Sequence, residues 1–192
     1  LEKQIIMTFE EHYKNTGLTS DKGTVHQYIY SFYSQEFTPK KTDELTIVEI
    51  GVNKGDSMIL FRDWFTNSKI FGIDNKNEMT PEYVNMVNSI EGINIIYKDA
   101  YDGETCNLFE DESIDYLIDD GPHSVESQIK CVQQWFPKIK KGGKLIIEDI
   151  QKFDRDKIKF DELNIPYEII DTRSSSPHNQ HDDILLIFKN NS

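Results

Sequence analysis

The sequence predicts an α/β fold: a doubly wound, mostly parallel sheet with a C-terminal antiparallel hairpin, preceded by an N-terminal helical segment. Three observations carry this expectation. Short apolar runs recur at Leu45 to Ile50, Lys69 to Ile73, Ile93 to Tyr97, Ile114 to Ile118 and Lys144 to Ile147, the pattern of strands covered on both faces. Helically spaced segments alternate with them, which is the signature of parallel βαβ units with right-handed crossovers. The last two strand-like runs, Tyr167 to Ile170 and Ile184 to Phe188, are joined by a polar stretch without helical period. They should therefore pair as antiparallel neighbours.

Taken in order, residues 2 to 15 and 25 to 35 space their apolar side chains as helices do, with a loop from Thr16 to Thr24 between them. The polar run Pro39 to Glu44 ends this lead. The strand Leu45 to Ile50 stops at Gly51, and Ser57 to Phe65 follows as a helix. Pro81 suits a first helical turn, so Pro81 to Asn88 is the next helix. A helix from about Val125 to Phe136 precedes Lys144 to Ile147. The lysines around Gly142-Gly143 read as a solvated turn. The whole, residues 1–192, is expected to be a single domain, with a helical lead or lid at 1–44 and a core at 45–192.

Composition limits the partners. Lys and Arg number 21 against 34 Asp and Glu, a formal net charge of −13, so a phosphate backbone would be repelled and nucleic acid is not an expected partner. No apolar run reaches the ~20 residues of a membrane span, so no membrane partner is expected. Cys106 and Cys131 have neither the density of a disulfide scaffold nor metal-site spacing. Two reduced structural cysteines fit a cytoplasmic protein; the oligomeric state is open, a homo-oligomer included.

Function is read from the strand ends. In an open α/β sheet the carboxyl ends of the strands form the ligand crevice. Asp119-Asp120-Gly121-Pro122-His123 follows one apolar run and Glu148-Asp149 another. Carboxylate oxygens gathered on one rim suit a hard cation such as Mg²⁺. Asp120 and His123 can face one point across the Gly-Pro turn, whereas Glu148 and Asp149 would diverge in a continuing strand. They converge only if that strand ends near Ile147. The bland alternative makes the first pair helix caps and the second a loop entry.

The stretch from Glu49 to Ser57, with Gly51, Asn53 and Gly55, allows a tight turn and a close backbone approach to a ligand at a helix start. It lacks the third glycine of the dinucleotide fingerprint. Asp74, about twenty positions on, can accept both hydroxyls of a ribose, and the two together favour a nucleoside ligand. Asp99-Ala100 could hold an adenine amino group or cap a helix. His178 and His181 could bind zinc near Asp182 and Asp183, but a solvated loop is the expected reading.

These residues resemble the metal-dependent class I S-adenosylmethionine methyltransferases that include the mycinamicin sugar O-methyltransferases and cephalosporin-hydroxylase-like proteins. The resemblance runs from Asp21-Lys22-Gly23 with His26 and Tyr28, through Glu49-Ile50-Gly51-Val52 and Ile118 to His123, to Gly142-Gly143 with Ile147 to Ile150. It continues in Asp171-Thr172-Arg173 and Asp182 to Leu185. It implies a Rossmann-like sheet, S-adenosylmethionine and Mg²⁺ as cofactors, and O-methylation of a small-molecule, sugar-containing substrate. Asp120, Glu148 and Asp149 would be the metal ligands and His123 the general base. Glu49, Gly51, Asn53, Gly55, Ser57, Asp74, Asp99, Ala100 and Asp119 would hold the cofactor. The lead segment and loop 171–183 are candidate lids. Two rivals stand beside this reading: a nicotinamide-dependent oxidoreductase on the same nucleoside rim, and a non-catalytic cofactor-binding module.

Overall fold

The structure, a computed structural model, describes residues 7–76, 79–175 and 181–192. His178 and its neighbours, residues 176–180 of the polar loop before Asp183, lie outside them. Among the described residues a seven-stranded sheet runs β3-β2-β1-β4-β5-β7-β6. Its strands are β1 (Thr46–Ile50), β2 (Lys69–Ile73), β3 (Ile93–Ile96), β4 (Ile114–Asp119), β5 (Ile139–Ile147), β6 (Tyr167–Asp171) and β7 (Ile184–Lys189). The first five are mutually parallel, while β7 lies antiparallel between β5 and β6. The predicted class and terminal hairpin are present, with β7 inserted beside β5 rather than trailing at the edge.

Strand alternation sends side chains to two layers. Ile47, Tyr116, Ile118, Ile146, Leu185 and Ile187 face a layer made by the lead segment and α4 (Asp56–Trp64). Val48, Ile50, Leu117, Leu145, Ile147 and Leu186 face the opposite layer, where α6 (Val125–Trp135) and α7 (Phe153–Asp161) pack. The helix α5 (Pro81–Asn88) starts at Pro81 as expected and is capped by Thr80.

The lead differs from expectation in detail. α1 spans Phe9–Thr16, held by a capping box between Thr8 and Glu11 and ended by Gly17 at φ 72°. The expected loop contains a short helix, α2 (Asp21–Thr24). A Cβ on Gly23 would stand 2.5 Å from the Tyr13 ring, so only glycine lets α2 press onto α1. The second lead helix opens with a π-helical turn, Ile29–Tyr33, before α3 (Ser34–Phe37). Phe9 is fully buried, edge-on to Phe37 and Trp64. Removing such a ring from a closed core costs about 3–5 kcal/mol, so the lead is packed as core.

Two further corrections concern the end of the chain. β5 begins at Ile139, five residues before the expected start, and Ile139 pairs with Ile114 across a register shift. Gly142 at φ 81° and Gly143, whose Cβ would lie 2.8 Å from the Asp115 carbonyl oxygen, mark an irregular strand rather than a turn. Nor are the lysines there merely solvated: Lys138, Lys140 and Lys144 pair with Asp111, Asp115 and Glu36. Between β3 and β4 the connection holds a 3₁₀ turn, Thr105–Leu108, in place of an α-helix.

Candidate active site

The strand tips are drawn level by backbone bonds that continue past the sheet. Gly51 N–H donates to the Ile73 carbonyl, Asp120 N–H to Ile50 and Glu148 N–H to Asp119. A Cβ on Gly51, at φ 88°, would lie 2.0 Å from the Asp120 carbonyl oxygen, so glycine is required where β1 and β4 meet. β5 ends at Ile147, the condition set for convergence. Asp149 then adopts φ 56° and His123 φ 55°, a left-handed conformation uncommon for such residues. Asn53, in the glycine loop, does the same at φ 44°. Strain of this kind collects at functional sites.

A cavity of about 510 Å³ opens along this rim, within the range of small-molecule sites. Gly51, Asn53, Gly55, Ser57, Asp74, Asp99, Ala100, Asp120 and His123 all line it. Asp74 accepts from Val52 N–H at 2.9 Å, tying the β2 tip to the glycine loop. Asp99 accepts from Tyr101 N–H and caps no α-helix. Glu49 and Asp119 are buried and do not line it. Glu49 is fully buried, accepting from the Ser57 hydroxyl at 2.6 Å. Asp119 points to the α6 face and accepts from the Tyr101 hydroxyl. Neither lines the cavity, because alternation turns Glu49 and Asp119 onto the buried faces. Ser124, not Asp119 or Asp120, caps α6.

Beside the cavity, Asp120, His123 and Asp149 bring one ligand atom each within 4.8 Å of one another. His123 Nε2 stands 3.9 Å from Asp120 Oδ1 and 3.8 Å from Asp149 Oδ2. Glu148, the third expected metal ligand, turns to the lead-segment face. Tyr33 donates to its Oε1 and Lys22 Nζ to its Oε2 at 2.5 Å. Gln128 in α6 holds the Glu148 carbonyl at 3.1 Å. The structure thus brings Asp120 and Asp149 together and adds His123, the expected base, to the same cluster.

The donors to these carboxylates come from the lead segment. Lys22 Nζ reaches Asp120 Oδ2 at 2.5 Å. Tyr28 donates to Asp149 Oδ1 at 2.7 Å. His26, stacked on Tyr28, bridges Asp183 and Asp149, with Nε2 3.6 Å from Asp149. Their signal in the sequence was the motif from Asp21 to Tyr28, which no local spacing connects to the strand ends. His26 also forms a second compact cluster with Asp182 and Asp183.

Burial, more than neighbouring charge, raises the carboxyls around the site. Burial pushes the Glu49 carboxyl up to about 7, against the pull of Lys22. Burial, then the charge of Asp120, raises Asp149 to about 6. Asp119 rises to about 6 through burial. Lys22 is opposed by its burial, yet Asp120, Glu148 and Glu49 hold it well above the usual lysine range. A divalent cation at the cluster would offset the burial of Asp149. An oxygen-rich donor set fits Mg²⁺, and the cavity, lined by Asp74 and the glycine loop, fits a nucleoside.

Comparison with known proteins agrees with the fold and narrows the chemistry. Residues 48–150, more than half of the chain, match the family described as a methyltransferase domain. The 8-demethyl-8-alpha-L-rhamnosyl tetracenomycin-C 2'-O-methyltransferase of Streptomyces olivaceus is 28% identical over 141 residues, covering 69% of this chain and 35% of that protein. The same organism's 8-demethyl-8-(2-methoxy-alpha-L-rhamnosyl)-tetracenomycin-C 3'-O-methyltransferase is 25% identical over 139 residues, 68% of this chain and 34% of that protein. The chain thus aligns with about a third of the length of either relative. In fold it is similar to the MycE methyltransferase of the mycinamycin biosynthetic pathway, solved with Mg, SAH and mycinamycin VI. That likeness has a TM-score of 0.66 at 18% identity, over 96% of this chain and 55% of that one. Among the described residues no helix is long and apolar enough to cross a membrane. The strand order, the rim cavity and the matched segment from β1 to the end of the acidic cluster agree: the chain belongs to the methyltransferase-domain family.

Proposed function

We propose that this chain is a single domain that transfers a methyl group from S-adenosylmethionine to a hydroxyl of a sugar-containing small molecule, with Mg²⁺ at the acidic cluster. The observation that carries the reading is the contact between two sites: Asp120 and His123 line the nucleoside-sized cavity and also belong to the cation cluster with Asp149. The rhamnosyl O-methyltransferases among its relatives support a sugar acceptor, and MycE, whose complex holds Mg and SAH, supports the cofactor pair.

When bound, the cation supplies Lewis acidity toward a hydroxyl and the sulfonium an electrophilic methyl group. The chain's own residues do the rest. Asp74 would accept from a ribose hydroxyl, and the backbone from Gly51 to Gly55 would come close to the cofactor. Asp120 and Asp149 would hold the cation. His123 takes the hydroxyl proton at Nε2, the atom that faces both carboxylates. Orientation of the acceptor oxygen against the methyl group supplies much of the rate. Glu148 shares Lys22 with Asp120, and would have to give up that partner to serve as a further ligand.

The test is mass spectrometry of glycosides incubated with the protein, Mg²⁺ and isotope-labelled S-adenosylmethionine. Labelled O-methyl product is expected, with turnover falling about a thousandfold after chelation and returning with Mg²⁺. Calorimetry showing NAD binding and no S-adenosylhomocysteine binding would contradict the reading.

A further inference from the structure

Lys22 is 2% exposed, and its ammonium lies 2.5 Å from Asp120 Oδ2, 2.5 Å from Glu148 Oε2 and 3.2 Å from Glu49 Oε1. Those carboxylates come from the ends of β4, β5 and β1, whereas Lys22 comes from the lead. A buried ammonium is tolerated only with such partners, and breaking the set leaves uncompensated charge. The tie has a mechanical consequence. Thr19, Ser20 and Asp21, directly before Lys22, form part of the cavity wall, which the glycine loop also lines. The far end of that wall is fixed by Asp56, whose Oδ2 accepts from both the N–H and the hydroxyl of Thr19 at 3.0 Å. Lys22 is the anchor at the near end.

The tie also has an electrostatic consequence. It places a positive charge against one oxygen of Asp120 while the other oxygen faces His123 and Asp149. A divalent cation at that cluster meets Lys22 as a like charge, and must draw Glu148 away from it to use that carboxylate.

We propose that Lys22 is a positioning residue that couples the two halves of the site with opposite sign: it favours the cofactor by holding the wall Thr19 to Asp21 closed, and opposes the divalent cation at Asp120 and Glu148. The proposal rests on the cofactor-and-cation reading above and adds a residue role that the reading does not need. Simple loss of packing would weaken both ligands together, so the opposed pair of effects is diagnostic.

The experiment is calorimetry of the full chain with S-adenosylhomocysteine and, separately, with Mn²⁺, for wild type, Lys22→Met and Lys22→Arg. Thermal melts and amide exchange across residues 19–25 without ligand accompany it. Lys22→Met is expected to bind S-adenosylhomocysteine roughly tenfold more weakly and Mn²⁺ roughly tenfold more tightly, a typical size for coupling between sites. Exchange across 19–25 should rise, and Lys22→Arg should move all three readouts back toward wild type. If Lys22→Met does not fold, Lys22→Gln, a neutral side chain that keeps a donor, is expected to show the same opposed pair. Wild type binding both ligands while the neutral variants shift both affinities in the same direction, or neither, overturns the role of Lys22 and leaves the functional reading standing. Wild type binding neither ligand overturns the functional reading and this proposal with it.

Discussion

Along one rim of the sheet, two acidic regions are handled in opposite ways. At the tips of β2 and β3, Asp74 and Asp99 face an open cavity and take their internal bonds from nearby backbone N–H groups. At the tips of β4 and β5, Asp120, Glu148 and Asp149 are covered by the lead segment, which supplies Lys22, Tyr28 and Tyr33 as donors. The first half leaves its carboxylates open to the cavity. The second is buried and loaded with charge that an ion can balance. Residue type alone does not separate them; what covers each carboxylate does.

The two halves can be tested against each other. The largest effect is expected where they meet. His123→Ala should lower the turnover number by about 10²- to 10⁴-fold, the usual worth of a general base, with S-adenosylhomocysteine and Mn²⁺ binding retained. Loss of Mn²⁺ binding would instead make the imidazole a ligand, as its place in the cluster allows. Next comes a double dissociation read by calorimetry. Asp120→Asn should lose at least tenfold in Mn²⁺ affinity while holding S-adenosylhomocysteine within a few-fold, and Asp74→Ala should do the reverse. Matched losses in both variants would mean that the rim is one undivided site.

A smaller effect is expected in stability. Glu49, Asp119 and Asp149 have folded-state pKa values of about 7, 6 and 6, above the ordinary carboxylate range. Between pH 4 and 7 the folded state therefore binds more protons than the unfolded chain, and stability falls as pH rises. Thermal melts of metal-free protein should drop by several degrees from pH 5 to pH 8, and Mg²⁺ should reduce the drop at the upper end. A flat profile without metal would show that the lead segment already balances the charge.

Much of this contrast was legible in the sequence, and the reason differs by element. The apolar runs gave the strands because each is buried on both faces, and the acidic clusters followed because they begin where those runs stop. The turn at Asp149 was legible only as a condition, since nothing local dictates its positive φ. α7 escaped detection because Asp154, Arg155, Asp156, Lys157 and Lys159 mask a narrow stripe of Phe153 and Phe160. The start of β5 was hidden by its glycines. Lys22 and Tyr33 were beyond reach as partners of Glu148, since they act across more than a hundred residues of chain. A buried lysine reads in sequence like any exposed one.

The most direct measurement is an anomalous difference map from crystals grown with Mn²⁺ and S-adenosylhomocysteine. A single strong peak at bonding distance, about 2.1 Å, from Asp120 and Asp149, with the nucleoside over Asp74, is the predicted result. A nucleoside seated in the cavity with no peak at those carboxylates, under Mn²⁺ in excess, would contradict the account.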